Sequence, residues 1–195
     1  MGTKLSGNFA LANNIDASGT VNWNSGAGFN PIGDGNYYYD SVSGTYKYNY
    51  FTGKFDGLNH TVDSLTINRP NTQYVGLFGY TNGANIKNVG LTNIKVNGYV
   101  AVGGLIGSSN NTNVEQSFVT GSVVAQGGTV GGLIGQLNAG SLNNSFSGAN
   151  VESKSQNDTG GLVGAANSNT QISNVYASGS VTNNDQSNWH TGGLI

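Results

Sequence analysis

The sequence predicts an all-β fold, a β-solenoid in which short strands of successive coils stack in parallel, and three observations carry that reading. A tetrapeptide recurs as Gly76-Leu77-Phe78-Gly79, Gly104-Leu105-Ile106-Gly107, Gly132-Leu133-Ile134-Gly135 and Gly161-Leu162-Val163-Gly164, with an incomplete copy at Gly193-Leu194-Ile195, at spacings of 28, 28, 29 and 32 residues. The intervals match internally: Ile86, Val114, Leu142 and Ile172 follow each tetrapeptide, then the aromatics Phe118, Phe146 and Tyr176, then Val96, Val123, Val151 and Val181. No window carries a helical stripe, and half the chain is Gly, Asn, Ser and Thr, all poor helix formers.

Each interval reads as three short strands separated by polar turns. A unit of about 28 residues cannot close a core alone, whereas stacked units pair every strand with its copy above and below and line a common interior. The length differences fall in the polar stretch between the closing Val of each unit and the next Gly-Gly, as at Thr182 to Thr191, one place in the unit, as expected of a surface loop on one side of a regular stack. The Gly-Gly pairs are expected to make corners with positive φ, and the recurrent Asn to adopt the left-handed conformation at turns and to form ladders. A sandwich of short strands needs no fixed period.

Residues 1–195 read as a single solenoid: residues 1–75 form irregular N-terminal coils and residues 76–195 the regular repeats. Phe9 to Asp16 alternates like a half-buried strand, and 53–62 with 65–67 reads as two strands around an Asp-Gly turn. The expected total is six or seven coils. Segment 34–50 stands outside the pattern as an aromatic-rich inserted hairpin or loop, holding Tyr37, Tyr38, Tyr39, Tyr46, Tyr48 and Tyr50. In a strand Tyr46, Tyr48 and Tyr50 face one side.

The repeated unit resembles the GLUG motif, named for its Gly-Leu-apolar-Gly core, and the upstream stretches 9–16, Pro31-Ile32-Gly33, 51–57 and His60-Thr61-Val62 are similar to the segment that commonly precedes such repeats. The resemblance covers nearly the whole chain except 34–50. It implies a right-handed parallel β-helix and the repeat region of a bacterial, filamentous-haemagglutinin-like surface adhesin, at the cell surface or outside the cell; it supplies no catalytic residues. The incomplete fifth copy leads us to expect that the native protein continues beyond Ile195.

Composition narrows the function classes. Seven Lys and Arg without a cluster give no footprint for nucleic acid, and apolar runs of four or five residues give nothing that inserts in a membrane. Without Cys there is no thiolate site. His60 and His190 are far apart, so no metal site, cofactor or catalytic group is expected. Glycoside chemistry needs two facing carboxylates; the densest acidic group, Asp34, Asp40, Asp56 and Asp63, is better explained by turns.

The leading expectation is therefore a non-enzymatic extracellular segment: a rigid rod with loops that contact a host-cell glycan or protein. The candidate contact residues are the six tyrosines of 34–50 and Trp189 in the longest repeat loop, because aromatic side chains bring large contact area and Tyr a hydroxyl at low entropic cost. Open terminal coils lead us to expect end-to-end self-association. The alternatives are a glycan-active β-helix enzyme, an accessory region of a surface peptidase, and an ice-binding solenoid. The last needs rows of Thr in register, and Thr112, Thr120, Thr129 and Thr159 do not recur in register.

Overall fold

A computed structural model describes residues 5–155, 158–167, 169–184 and 190–195. The chain winds through about five turns of a parallel β-solenoid with three faces. The first face stacks Asn8–Ala10, Lys54–Asp56, Asn85–Lys87, Ile106–Glu115, Ile134–Asn143 and Val163–Ala166. The second stacks Ile15–Asp16, Thr61–Asp63, Gly90–Gly98, Phe118–Ala125, Phe146–Ser153 and Tyr176–Ala177. The third, two residues deep, stacks Val102–Gly103, Val130–Gly131, Thr159–Gly160 and Thr191–Gly192.

The repeat sets the register. Ile106 pairs with Ile134 and Ile134 with Val163; Val114 pairs with Leu142 and Leu142 with Ile172; Phe118 pairs with Phe146 and Phe146 with Tyr176. Equivalent residues therefore form columns. Leu77, Leu105, Leu133 and Leu162 make one interior column, and Phe55, Ile86, Val114 and Leu142 another, all buried. Because strand side chains alternate between faces, β-branched and Leu residues at every second position fill the interior and Asn, Ser and Thr cover the outside.

Of the two corner expectations, the one for Asn holds and the one for the Gly-Gly pairs does not. Gly103, Gly131 and Gly160 do not have positive φ. They are required by close approach: a Cβ on Gly131 would lie 2.1 Å from the Ile134 carbonyl oxygen, and one on Gly160 1.9 Å from that of Val163. The left-handed corners belong to side-chain-bearing residues, Asn88, Gln116, Asn144 and Asn174, with φ between 47° and 56°. Asn tolerates that conformation and bonds its neighbour, as Asn174 Nδ2 donates to Asn144 Oδ1 at 3.1 Å.

The coil count falls short of six or seven because both ends are partial. Phe9 to Asp16 is not one strand but two, Asn8–Ala10 and Ile15–Asp16, on different faces. A kinked 3₁₀ segment, Ser18–Gly26, whose helical turns break at Trp23, Asn24 and Ser25, then lies against Thr66–Asn68 in place of a further strand. Nothing in its sequence resembles an amphipathic stripe; it is held by Thr20, whose hydroxyl donates to Ala17 O and accepts from Thr66 N. The stretch 53–67 also differs from expectation. It holds three strands, Lys54–Asp56, Thr61–Asp63 and Thr66–Asn68, around the solenoid. The Asp-Gly step is a corner between faces, with Leu58 and Asn59 left-handed, and not a hairpin turn.

Candidate functional site

The insertion interrupts one strand of the solenoid. Tyr80 N donates to Gly33 O, and Phe51 N donates back to Tyr80 O at 2.9 Å. Ile32-Gly33 and Phe51-Thr52 thus act together as the strand beside Phe78–Asn82, and the chain leaves between Gly33 and Phe51. Gly33 has φ +67°, and a Cβ there would lie 2.6 Å from Phe51 N, so the exit point requires glycine.

Beyond the exit the chain forms an antiparallel hairpin of Tyr37–Asp40 and Thr45–Tyr48. At its base Asp34 Oδ1 accepts from Asn36 N and from Asn49 Nδ2. At its tip Asp40 accepts from Val42 N and the Ser43 hydroxyl, and left-handed Gly44 donates to Asp40 O. The register sets Tyr37 opposite Tyr48 and Tyr39 opposite Tyr46, so these four rings share one face, while Tyr38 and Lys47 occupy the other.

The rings run in unbroken contact from the hairpin to the solenoid wall. Centroids are 5.4 Å apart for Tyr39 and Tyr46, 5.6 Å for Tyr46 and Tyr37, 6.1 Å for Tyr37 and Tyr48, and 5.1 Å for Tyr48 and Tyr50. Tyr50 stacks on Tyr80 at 4.3 Å, and Tyr74 meets Tyr80 edge-on at 5.2 Å. Tyr37, Tyr39, Tyr46 and Tyr48 are exposed, whereas Tyr50 is half-buried between the hairpin and Tyr80. The expected trio of Tyr46, Tyr48 and Tyr50 does share a side, but Tyr50 is its anchor and Tyr37 and Tyr39 complete its open surface. Tyr74 and Tyr80 were not singled out in the sequence. A signal existed: Tyr80 occupies the column of Ser108, Gln136 and Ala165, the one aromatic in it. Trp189 lies outside the described residues.

Among the described residues the acidic side chains do not converge on a groove. Asp34 and Asp40 brace the hairpin, and Asp56 accepts from Leu58 N and Asn88 and pairs with Lys87 at 3.3 Å. Asp63 accepts from Thr92, Ser64 and Asn93. Hydrogen bonds from Ser43, Asn88 and Thr92 respectively hold Asp40, Asp56 and Asp63 below the ordinary carboxylate value, so none of the three stays protonated at neutral pH as a general acid would. His60 Nδ1 lies 3.1 Å from Asn14 Oδ1, and His190 Nδ1 2.7 Å from Asp158. Among the described residues no three His, Asp or Glu side chains cluster to hold a metal. The outer column Thr61, Gly90, Phe118, Phe146 and Tyr176 holds a single Thr, and Thr112 and Thr120 each pair with a Gly in the next coil; Thr159, against expectation, does recur in register, with Thr191, but stands above Val130 in a row of two.

Residues 155–182 carry a GLUG motif, around the fourth tetrapeptide. Over 104 residues, 52% of the chain, the sequence is 38% identical to halomucin of Haloquadratum walsbyi (strain DSM 16790 / HBSQ001). The matched region is 1% of that relative's length. No solved structure matches the chain.

Proposed function

We propose that this chain is a non-enzymatic segment of an extracellular or cell-surface adhesin, a stiff spacer that displays the tyrosine hairpin toward a glycan. The observation that carries the reading is the continuous ring contact from Tyr39 to Tyr74, which fixes an exposed aromatic surface to a rigid wall. A two-stranded hairpin alone is marginally stable in water. The Tyr50–Tyr80 stack and the Asp34–Asn49 bond remove that weakness, so binding need not spend free energy on ordering the hairpin. The similarity to halomucin and the GLUG motif support a surface or extracellular setting. Low charge suits contact through hydroxyls and apolar ring surface instead of electrostatic steering.

Binding to an immobilised glycan panel tests the reading. The double variant Tyr39→Ser/Tyr46→Ser removes exposed rings but leaves Tyr50 and Tyr80 in place, and it should abolish binding while the thermal transition of the solenoid stays put. Undiminished binding by this variant, or no glycan bound by the parent chain while a protein partner is retained, overturns the glycan assignment.

A further inference from the structure

At the N-terminal end of the stack a cavity of about 250 Å³ lies between the 3₁₀ segment and the interior columns. Its floor is Phe55, Val62, Leu65 and Leu77, all buried, and its solvent side carries Ile15 and Trp23, 43% and 52% exposed. We propose that this cavity is a binding site for a small neutral apolar molecule, of the size of one or two fused aromatic rings.

Volume sets the size. An apolar cavity of about 150 Å³ stays dry and takes up benzene, and this one is larger by room for a further ring. Chemistry sets the class. The polar side-chain atoms of its walls, on Thr20 and Asp16, already have protein partners, and the Trp23 indole belongs to the exposed mouth. The Thr20 hydroxyl donates to Ala17 O at 2.6 Å and accepts from Thr66 N at 2.9 Å, and Asp16 Oδ1 accepts from Ser18 N at 2.9 Å. A ligand with its own hydrogen-bonding groups in the interior would leave them unpaired, at a cost of about 1–3 kcal/mol each. A hydrocarbon surface leaves nothing unpaired and removes apolar wall from water.

Charge sets the sign. Asp16 is the charged residue of the lining, and the two Ser18 hydrogen bonds hold its carboxyl below the ordinary value, so it is anionic at neutral pH. An anionic amphiphile such as a fatty acid meets repulsion there, while a neutral molecule does not. The site is separate from the tyrosine hairpin: it shares no residue with the hairpin strands or with Tyr50, Tyr74 and Tyr80.

The test uses naphthalene, a neutral two-ring fluorophore, as the dye with the full chain, read by dye fluorescence and by methyl chemical shifts. Saturable one-to-one binding is expected, with shifts centred on Leu11, Leu65 and Leu77. Ala17→Leu places extra carbons in the cavity and should weaken binding by about tenfold or more while circular dichroism is retained. The anionic dye 1-anilinonaphthalene-8-sulfonate should bind the parent chain more weakly, and Asp16→Asn should recover much of that loss. Failure of the neutral dye to bind, equal binding by Ala17→Leu, or shifts centred on the hairpin tyrosines overturns the proposal. Shift mapping on the parent chain decides the matter even if Ala17→Leu does not fold. Exclusion of the dye by a longer chain carrying upstream sequence also overturns it, because the occupant is then protein.

Discussion

Tyr50 stacks on Tyr80 with centroids 4.3 Å apart and planes within 25° of parallel, and this contact joins an inserted hairpin to the coil that it interrupts. Burial raises both phenols above the ordinary value of 10.0, and neighbouring phenols add to it, Tyr80, Tyr48 and Tyr74 at Tyr50 and Tyr74 at Tyr80. A phenol whose folded value is raised contributes stability below the unfolded value and loses it as pH rises through the folded one. Titration above pH 10 should therefore release the hairpin before the solenoid unfolds. Tyr80→Ala should do the same at neutral pH, at a cost of about 2 kcal/mol. Hydrogen exchange checks both: amides of 37–48 should lose protection while those of 106–143 keep it.

Gly131 and Gly148 should respond in opposite directions to the same substitution. A Cβ on Gly131 would sit 2.1 Å from one carbonyl oxygen and 2.5 Å from Gly164 N, and backbone on two coils cannot move apart without breaking the ladder. Gly131→Ala should cost about 3 kcal/mol. At Gly148 the nearest atom to a new Cβ is Thr120 Cγ2 at 3.4 Å, and φ is not positive. Gly148→Ala should raise stability by about 0.4–1 kcal/mol by restricting the unfolded chain. Urea midpoints of the two variants decide the point.

The same pair marks the boundary of what the sequence can tell. The 28-residue period makes the columns legible, because a repeat with fixed spacing can stack only in register, and Ile106 on Ile134 or Phe118 on Phe146 follows directly. The reason for the Gly-Gly corners is not legible, since close approach depends on the neighbouring coil and not on local φ. The insertion is partly legible. Alternation at Tyr46, Tyr48 and Tyr50 places them on one side, but Tyr37 and Tyr39 join them only through a cross-strand register that the sequence does not state. Non-periodic segments such as Ser18–Gly26 have no second copy against which to be read.

Acid should loosen the chain at the Asp63 corner. Thr92, then Ser64 and Asn93, donate to Asp63 and hold its carboxyl below the ordinary 3.8. A lowered folded value means that stability is present above the unfolded value and is lost as pH falls through the folded one. Asp16, Asp40, Asp56 and Glu152 are lowered as well and act in the same window, about pH 4 and below. Unfolding there should take up protons. Asp63→Asn should flatten the fall of the urea midpoint between about pH 4 and pH 2. A slope equal to that of the parent chain would remove Asp63 from the account.

Phe146 should matter more than either of its stacked neighbours. Its ring lies 4.9 Å from Phe118 and 4.8 Å from Tyr176, with planes within 3° of parallel, on the outer side of the second face. The rings are only half-buried or exposed, so much of their contribution comes from one another. Removing the central ring ends both contacts, while removing Tyr176 ends one. Phe146→Ala should cost about 2 kcal/mol and Tyr176→Ala about 1 kcal/mol, counting about 0.5–1.5 kcal/mol for each aromatic pair beyond area. A double-mutant cycle with Phe118→Leu and Phe146→Leu isolates the pair, and a coupling within about 0.3 kcal/mol of zero would show that the rings contribute by area alone.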